Sequence, residues 1–262
     1  MSSHRLFIIT GKGGVGKTTV ALAYANHLKD QGKKVKFFSF LQHTPHKILK
    51  SLHIPEIHLE LFKSAEVYIA RKLNSETIAH WIMHTPFFKS LFQMIPGLGH
   101  MILFGHIIDE LENDPELIVV MDAPASGHAL TMFESTATFE TIFKSGLIVK
   151  DIDRMNRFIK TKGNLLTYVV TLPFPMAYQE AKELQRELQE KQVELGPLIL
   201  NDSLNDLLKT ENHLPELLKN RMELEKSVLQ QEPNCLVIPH FNNDSSLERV
   251  QLATEKVKQW QK

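Results

Sequence analysis

At 262 residues the chain has room for one large α/β domain or two small ones. Lys+Arg and Asp+Glu balance at 30 each, so no global basic field draws it to nucleic acid, and the 43% hydrophobic content suits a globular protein with a substantial core. The single cysteine, Cys235, excludes an intramolecular disulfide and any paired-cysteine metal or redox motif.

The N-terminal apolar stretch HRLFIIT is too short for a signal peptide and runs straight into glycines. It reads as a strand over Leu6–Thr10. The glycine- and lysine-rich GKGGVGKTT (Gly11 to Thr19) follows, and TTVALAYANHLKDQG places Val20, Ala23, Tyr24 and Leu28 at helical spacing before a stop at Gly32. KVKFFSF (Lys34–Phe40) is a second strand. The interval from Ile57 to Glu112 is too long for one crossover and reads as several helices. Its most apolar part, Trp81 to Ile108, is broken by His84, Pro86, Lys89 and Pro96, and never reaches the ~20 unbroken apolar residues of a spanning helix. Further strands are expected at LIVVMD (Leu117–Asp122), LLTYVVT (Leu165–Thr171), PLILN (Pro197–Asn201) and CLVIP (Cys235–Pro239), with Cys235 a buried strand residue. AYQEAKELQRELQEKQVELG is a charged helix ending at Gly196, and SLERVQLATEKVKQWQK is an amphipathic helix expected to dock on the core. Continuous apolar strands alternating with helices predict an α/β fold, a doubly wound, mostly parallel sheet. The expected organisation is a single domain over 1–262 with a helical insertion at about 57–112, in a soluble, cytoplasmic protein.

Gly11, four intervening residues and Gly16-Lys17-Thr18 have the spacing of a Walker A loop, set between a predicted strand and a predicted helix as that loop requires. Small residues let successive backbone N–H groups of Gly11, Lys12, Gly13, Gly14, Val15 and Gly16 turn toward phosphate oxygens, and the helix beginning near Thr18 and Thr19 adds its positive end. Lys17 reaches the β- and γ-phosphates, and the Thr18 hydroxyl is a Mg²⁺ ligand. The fold is thus of the P-loop NTPase type.

KGGVGKTT further resembles the deviant Walker A motif of the MinD, ParA and ArsA group of P-loop ATPases. The resemblance implies ATP as the nucleotide and a homodimer in which Lys12 reaches the nucleotide of the partner subunit; the plain alternative is a solvated loop lysine. DAPASGHAL (Asp122 to Leu130) closely resembles the DTAPTGHTL segment of ArsA-type ATPases, which drive an arsenite pump or target tail-anchored membrane proteins. It implies that Asp122 holds a magnesium-bound water and that Gly127 and His128 lie in switch II, with a satisfied core histidine as the alternative for His128. IPGLGH resembles that family's PGxxE segment, with His100 where the glutamate stands. By the same resemblance Asn201 reads adenine and Pro239 packs on the base, although an asparagine after a strand is often a turn residue.

One departure bears on chemistry. The family's switch I supplies an aspartate that positions the attacking water, whereas FSFLQHTPHKIL (Phe38 to Leu49) has no carboxylate, and none occurs between Asp30 and Glu56. His43, Thr44 or His46 would have to order the water instead, and a missing base removes typically 10²–10⁴-fold of rate. The expected function is a Mg-ATP-binding, ATP-hydrolysing homodimer, with Lys12, Lys17 and Asp122 as catalytic residues, whose cycle acts on a protein client or membrane partner. The alternatives are an ATP-dependent interaction protein with residual hydrolysis and a ParA-like DNA-binding ATPase. Met83, Met94, Met101, Phe87, Phe88, Phe92 and Phe104 form either core or a client groove.

Overall fold

The computed structural model describes residues 4–40, 45–86, 88, 90, 97–124, 133, 147–205 and 216–260. Six strands, β1 (Leu6–Gly11), β2 (Lys34–Ser39), β3 (Leu117–Asp122), β4 (Leu165–Thr171), β5 (Ile199–Ser203) and β6 (Leu236–Pro239), form one sheet in the order β2-β3-β1-β4-β5-β6. Every pairing is parallel. The helices among the described residues are α1 (Lys17–Asp30), α2 (His46–Ser51), α3 (Leu61–Leu73), α4 (Glu76–His84), α5 (Leu98–Asn113), α6 (Leu147–Lys160), α7 (Pro175–Glu190), α8 (Glu216–Gln231) and α9 (Ser246–Trp260).

β1 is apolar at successive positions because both its faces are covered. Leu6 and Ile8 enter a core cluster with α5 and α7 residues, while Phe7 and Ile9 enter a second cluster with α1 and α9 residues. α1 is buried along nearly its whole length from Val20 to Leu28 because it lies between the sheet and α9. α9 docks on it as expected: Val250, Ala253 and Val257 are buried, Asn26 Nδ2 donates to Thr254 Oγ1 (3.4 Å), and Lys258 pairs with Asp30 (3.1 Å). α7 shows its amphipathic register directly, with Tyr178, Ala181, Leu184 and Leu188 buried.

The long interval between β2 and β3 divides by depth. Within α5, Met101, Phe104, Ile107, Ile108 and Leu111 are buried against the sheet, so this helix occupies the crossover position. α3 and α4 lie outside it, joined to the same core through Ala65, Tyr68 and Met83. Arg154 of α6 clamps α5 through Asp109 (2.7 Å) and Glu112 (2.5 Å). Met83, Met101 and Phe104, named above as core or groove, are core; Phe88 packs at the margin, while Met94, Phe87 and Phe92 lie outside the described residues. Among the described residues, the large apolar side chains exposed in this region are Phe62, Val67, Ile78 and Trp81 instead. No helix among the described residues is long and apolar enough to cross a membrane.

Candidate nucleotide site

The loop after β1 lies where the chain order reverses around the central strand, between β3 on one side and β4 on the other. Its glycines answer to their neighbours. Gly11 has φ 144°, and a Cβ there would stand 2.2 Å from the Val170 carbonyl oxygen on β4. Gly16, with φ 88°, is the left-handed N-cap of α1, and a Cβ there would meet Asn201 Nδ2 at 2.2 Å. Asn201 Nδ2 donates to the Val15 carbonyl (2.9 Å), and Val15 is buried, so β5 props the loop from beneath. The first turn of α1 carries no acidic side chain and Gly16 supplies no capping group, so the helix's own residues do not neutralise its positive end.

Two buried charges meet at the floor of the loop. Lys17 is 9% exposed, and its Nζ donates back across the loop to the Lys12 carbonyl (2.9 Å). Burial lowers its pKa from the usual lysine range, opposed by the Asp122 carboxylate. Thr18 Oγ1 donates to Asp122 Oδ2 (2.7 Å), joining the start of α1 to the end of β3. Asp122 is fully buried, and burial raises its carboxyl to about 6 against the opposing pull of Thr18, Lys17 and Ser39. Its second oxygen, Oδ1, is buried without a hydrogen-bonded donor. A hydroxyl beside a carboxylate with one uncommitted buried oxygen is a hard, oxygen-only donor set, which suits Mg²⁺ and its bound waters.

Lys12 is 59% exposed on the loop rim, and its ammonium pairs with Glu180 on α7. Gly13 and Gly14 are exposed beside it, and Thr19 is half-buried in the first turn of α1. Pro239 ends β6 opposite Ser203, two strands beyond β4 on the same edge of the sheet. Gly127 and His128 lie outside the described residues, as do His43 and Thr44. His46 is described: its Nδ1 pairs with Glu56 (2.7 Å). The His100 ring packs at a tilt against Phe40, centroids 5.3 Å apart, just past the end of β2.

Sequence reasoning missed three contributors. Ser39 ends β2 in register with Asp122, a relation that only strand pairing reveals. Glu180 gave no local signal, since it is one acid among several on a charged helix. Asp202 follows Asn201 in the left-handed region (φ 64°) and is held by Arg221 (2.8 Å) and His240 (2.6 Å), which fixes the end of β5 from two later elements.

The family model described as anion-transporting ATPase matches residues 4–169, more than half of the chain. A protein of Aquifex aeolicus named "Putative arsenical pump-driving ATPase 2" is 28% identical over 88% of this chain and 89% of its own length. "ATPase BagA" of Mycobacterium tuberculosis is 23% identical, covering 78% of this chain and 66% of that protein. An "Arsenical pump-driving ATPase" of Escherichia coli is 26% identical over 78% of this chain, which spans only 35% of that protein. With its phosphate loop, its Thr18–Asp122 link and this match, the chain belongs to the ArsA-type anion-transporting ATPase family and is an ATPase.

Proposed function

We propose that the chain binds Mg-ATP and works as a homodimer whose two halves close on ATP and open after hydrolysis, transmitting that motion to a protein or membrane partner. The observation that carries the reading is the constellation of buried Lys17, buried Asp122 and the Thr18 hydroxyl bonded to it, directly beneath the loop. Lys17, shielded from water, neutralises charge on the β- and γ-phosphates; Thr18 would hold a magnesium ion directly and Asp122 through a bound water, and the ion would supply charge neutralisation during phosphoryl transfer. Asn201 supports the loop, and with Pro239 it bounds the side on which the base lies.

Lys12 differs from Lys17 in being exposed and, among the described residues, paired with Glu180 at the surface, so a docking partner can recruit it without unfolding anything. In this reading it supplies positive charge in trans, and the monomer alone is a poor catalyst. Hydrolysis is slow, because the end of β2 offers the Ser39 hydroxyl and the following segment contains no carboxylate to aim a water. Neutral net charge weighs against the DNA-binding alternative.

The test is steady-state phosphate release and ATP-dependent dimerisation for the wild type, Lys17→Ala and Lys12→Ala. The expected pattern is measurable turnover in the wild type only, with nucleotide binding retained and dimerisation weakened in Lys12→Ala. Unchanged dimerisation and turnover in Lys12→Ala would remove the trans role. Wild-type release equal to Lys17→Ala, with ATP binding intact, would leave an ATP-dependent interaction protein.

A further inference from the structure

We propose that Glu66, His80 and His84 form a binding site for a divalent transition-metal cation of the Zn²⁺ class, bridging α3 and α4 on the side of the molecule formed by the helices between β2 and β3. The local structure brings the three together for simple reasons. α4 begins at Ser75, whose hydroxyl accepts from the Ile78 N–H (3.3 Å), and it buries Ala79 and Met83, one turn apart. His80 and His84 each follow one of these residues, so they share the neighbouring, solvent-facing stripe, with ring centroids 4.0 Å apart. α3 buries Ala65, which presents Glu66 to that stripe.

One donor atom from each residue lies within 4.8 Å of the others. A tetrahedral zinc ion with bonds of ~2.0–2.1 Å holds its ligand atoms about 3.3 Å apart, so closing the set asks the exposed side chains to move by at most about 1.5 Å. The hydrogen bonds favour it. His84 Nδ1 lies 2.8 Å from the His80 carbonyl, which can only accept; Nδ1 therefore donates, and Nε2 is the ring atom left to face a metal. His80 Nδ1 and Glu66 Oε1 lie 2.6 Å apart, so an imidazole from α4 and a carboxylate from α3 are already held side by side. A metal ion would replace the hydrogen between them. Two imidazoles and one carboxylate select zinc-like cations over Mg²⁺ or Ca²⁺, and the set is chemically distinct from the oxygen-only Thr18–Asp122 pair. Three protein ligands at the surface leave a position for water, so the ion exchanges readily. Phe62, at 5.8 Å from the His84 ring, and exposed Trp81 neighbour these histidines, so a bound ion would stiffen a surface that carries exposed apolar side chains.

The experiment is calorimetric titration of the tag-free, chelator-treated full chain with Zn²⁺ in the absence of nucleotide, supported by Co²⁺ absorption spectra. One Zn²⁺ per chain is expected, with affinity reduced at least ~10-fold in the His80→Ala/His84→Ala double variant and in Glu66→Gln. His46→Ala, which removes a surface histidine paired with Glu56, should leave it unchanged. Thermal unfolding should shift upward with Zn²⁺ in the wild type and not in the double variant, whose fold is checked by circular dichroism. Equal stoichiometry and affinity in the double variant, or no one-to-one binding by the wild type, would overturn the proposal.

Discussion

The nucleotide end of the sheet and the α3–α4 pair both gather polar side chains, but they hold them in opposite ways. Beneath the loop, Lys17 and Asp122 are withdrawn from water and tied to a carbonyl and a hydroxyl supplied by neighbouring elements. On α3 and α4, His80 and His84 are exposed, and Phe62, Ile78 and Trp81 stand beside them in solvent. Burial makes a charge expensive unless it is compensated, so the first region tolerates few changes and its properties depend on pH. The second is supported by a core face one stripe away, leaving its outer residues free to vary with a ligand or partner.

The largest break in this contrast is Lys17→Ala. Removing a preorganised charge from a water-poor site should lower the ATPase rate by ~10²–10³-fold, as losing one donor at a developing charge does elsewhere. Phosphate release at saturating ATP checks it, and a loss below tenfold would mean that the buried lysine is not the phosphate ligand.

A second test uses Asp122. Its folded carboxyl titrates at about 6 against an unfolded value near 3.8, so between those values the folded state binds the extra proton. Stability is therefore greatest at low pH with respect to this group and falls as pH rises from about 4 through about 6, by about 3 kcal/mol at most. Urea unfolding of the nucleotide-free protein across pH 4–7 should show that fall in the wild type and a flatter profile in Asp122→Asn. Magnesium-dependent ATP affinity should move the opposite way, weakening below pH 6 as the carboxylate is protonated.

Gly11→Ala probes backbone rather than charge. Its φ of 144° and the 2.2 Å approach to the Val170 carbonyl force β1 and β4 apart, at an expected cost of about 1–3 kcal/mol. The melting temperature should fall by roughly 2–4 °C per kcal/mol for a chain of this size. Trp81→Ser sits at the other extreme. The side chain is 70% exposed, so unfolding should change by no more than about 0.5 kcal/mol, while any partner that docks on α4 should bind less well. A large loss of stability there would erase the contrast between the two regions.

Much of this was legible in the chain. The runs at Leu6, Leu117 and Leu165 are strands because continuous apolar sequence marks burial on both faces, the run at Lys34 is an edge strand with Val35, Phe37 and Phe38 buried, and the glycine spacing marks the loop. α9 was readable from its apolar stripe. The depth of α5 was harder to see: an apolar helix buried against a sheet and one forming a client groove have the same composition, and only the packing of Met101 and Phe104 separates them. Asn201 stood out as a polar residue ending a strand, yet its contact with the Val15 carbonyl depends on a neighbour 186 positions away.

The sequence by itself determined the glycine- and lysine-rich loop after β1, the alternation of strands and helices and the absence of a carboxylate between Asp30 and Glu56, because each is a matter of local spacing and residue type. Only the tertiary structure decided that Lys12 pairs with Glu180, that Ser39 and Thr18 converge on Asp122, and that Glu66 meets two histidines from the next helix. Those relations arise from strand register and helix packing, which bring together residues that have no reason to be neighbours along the chain.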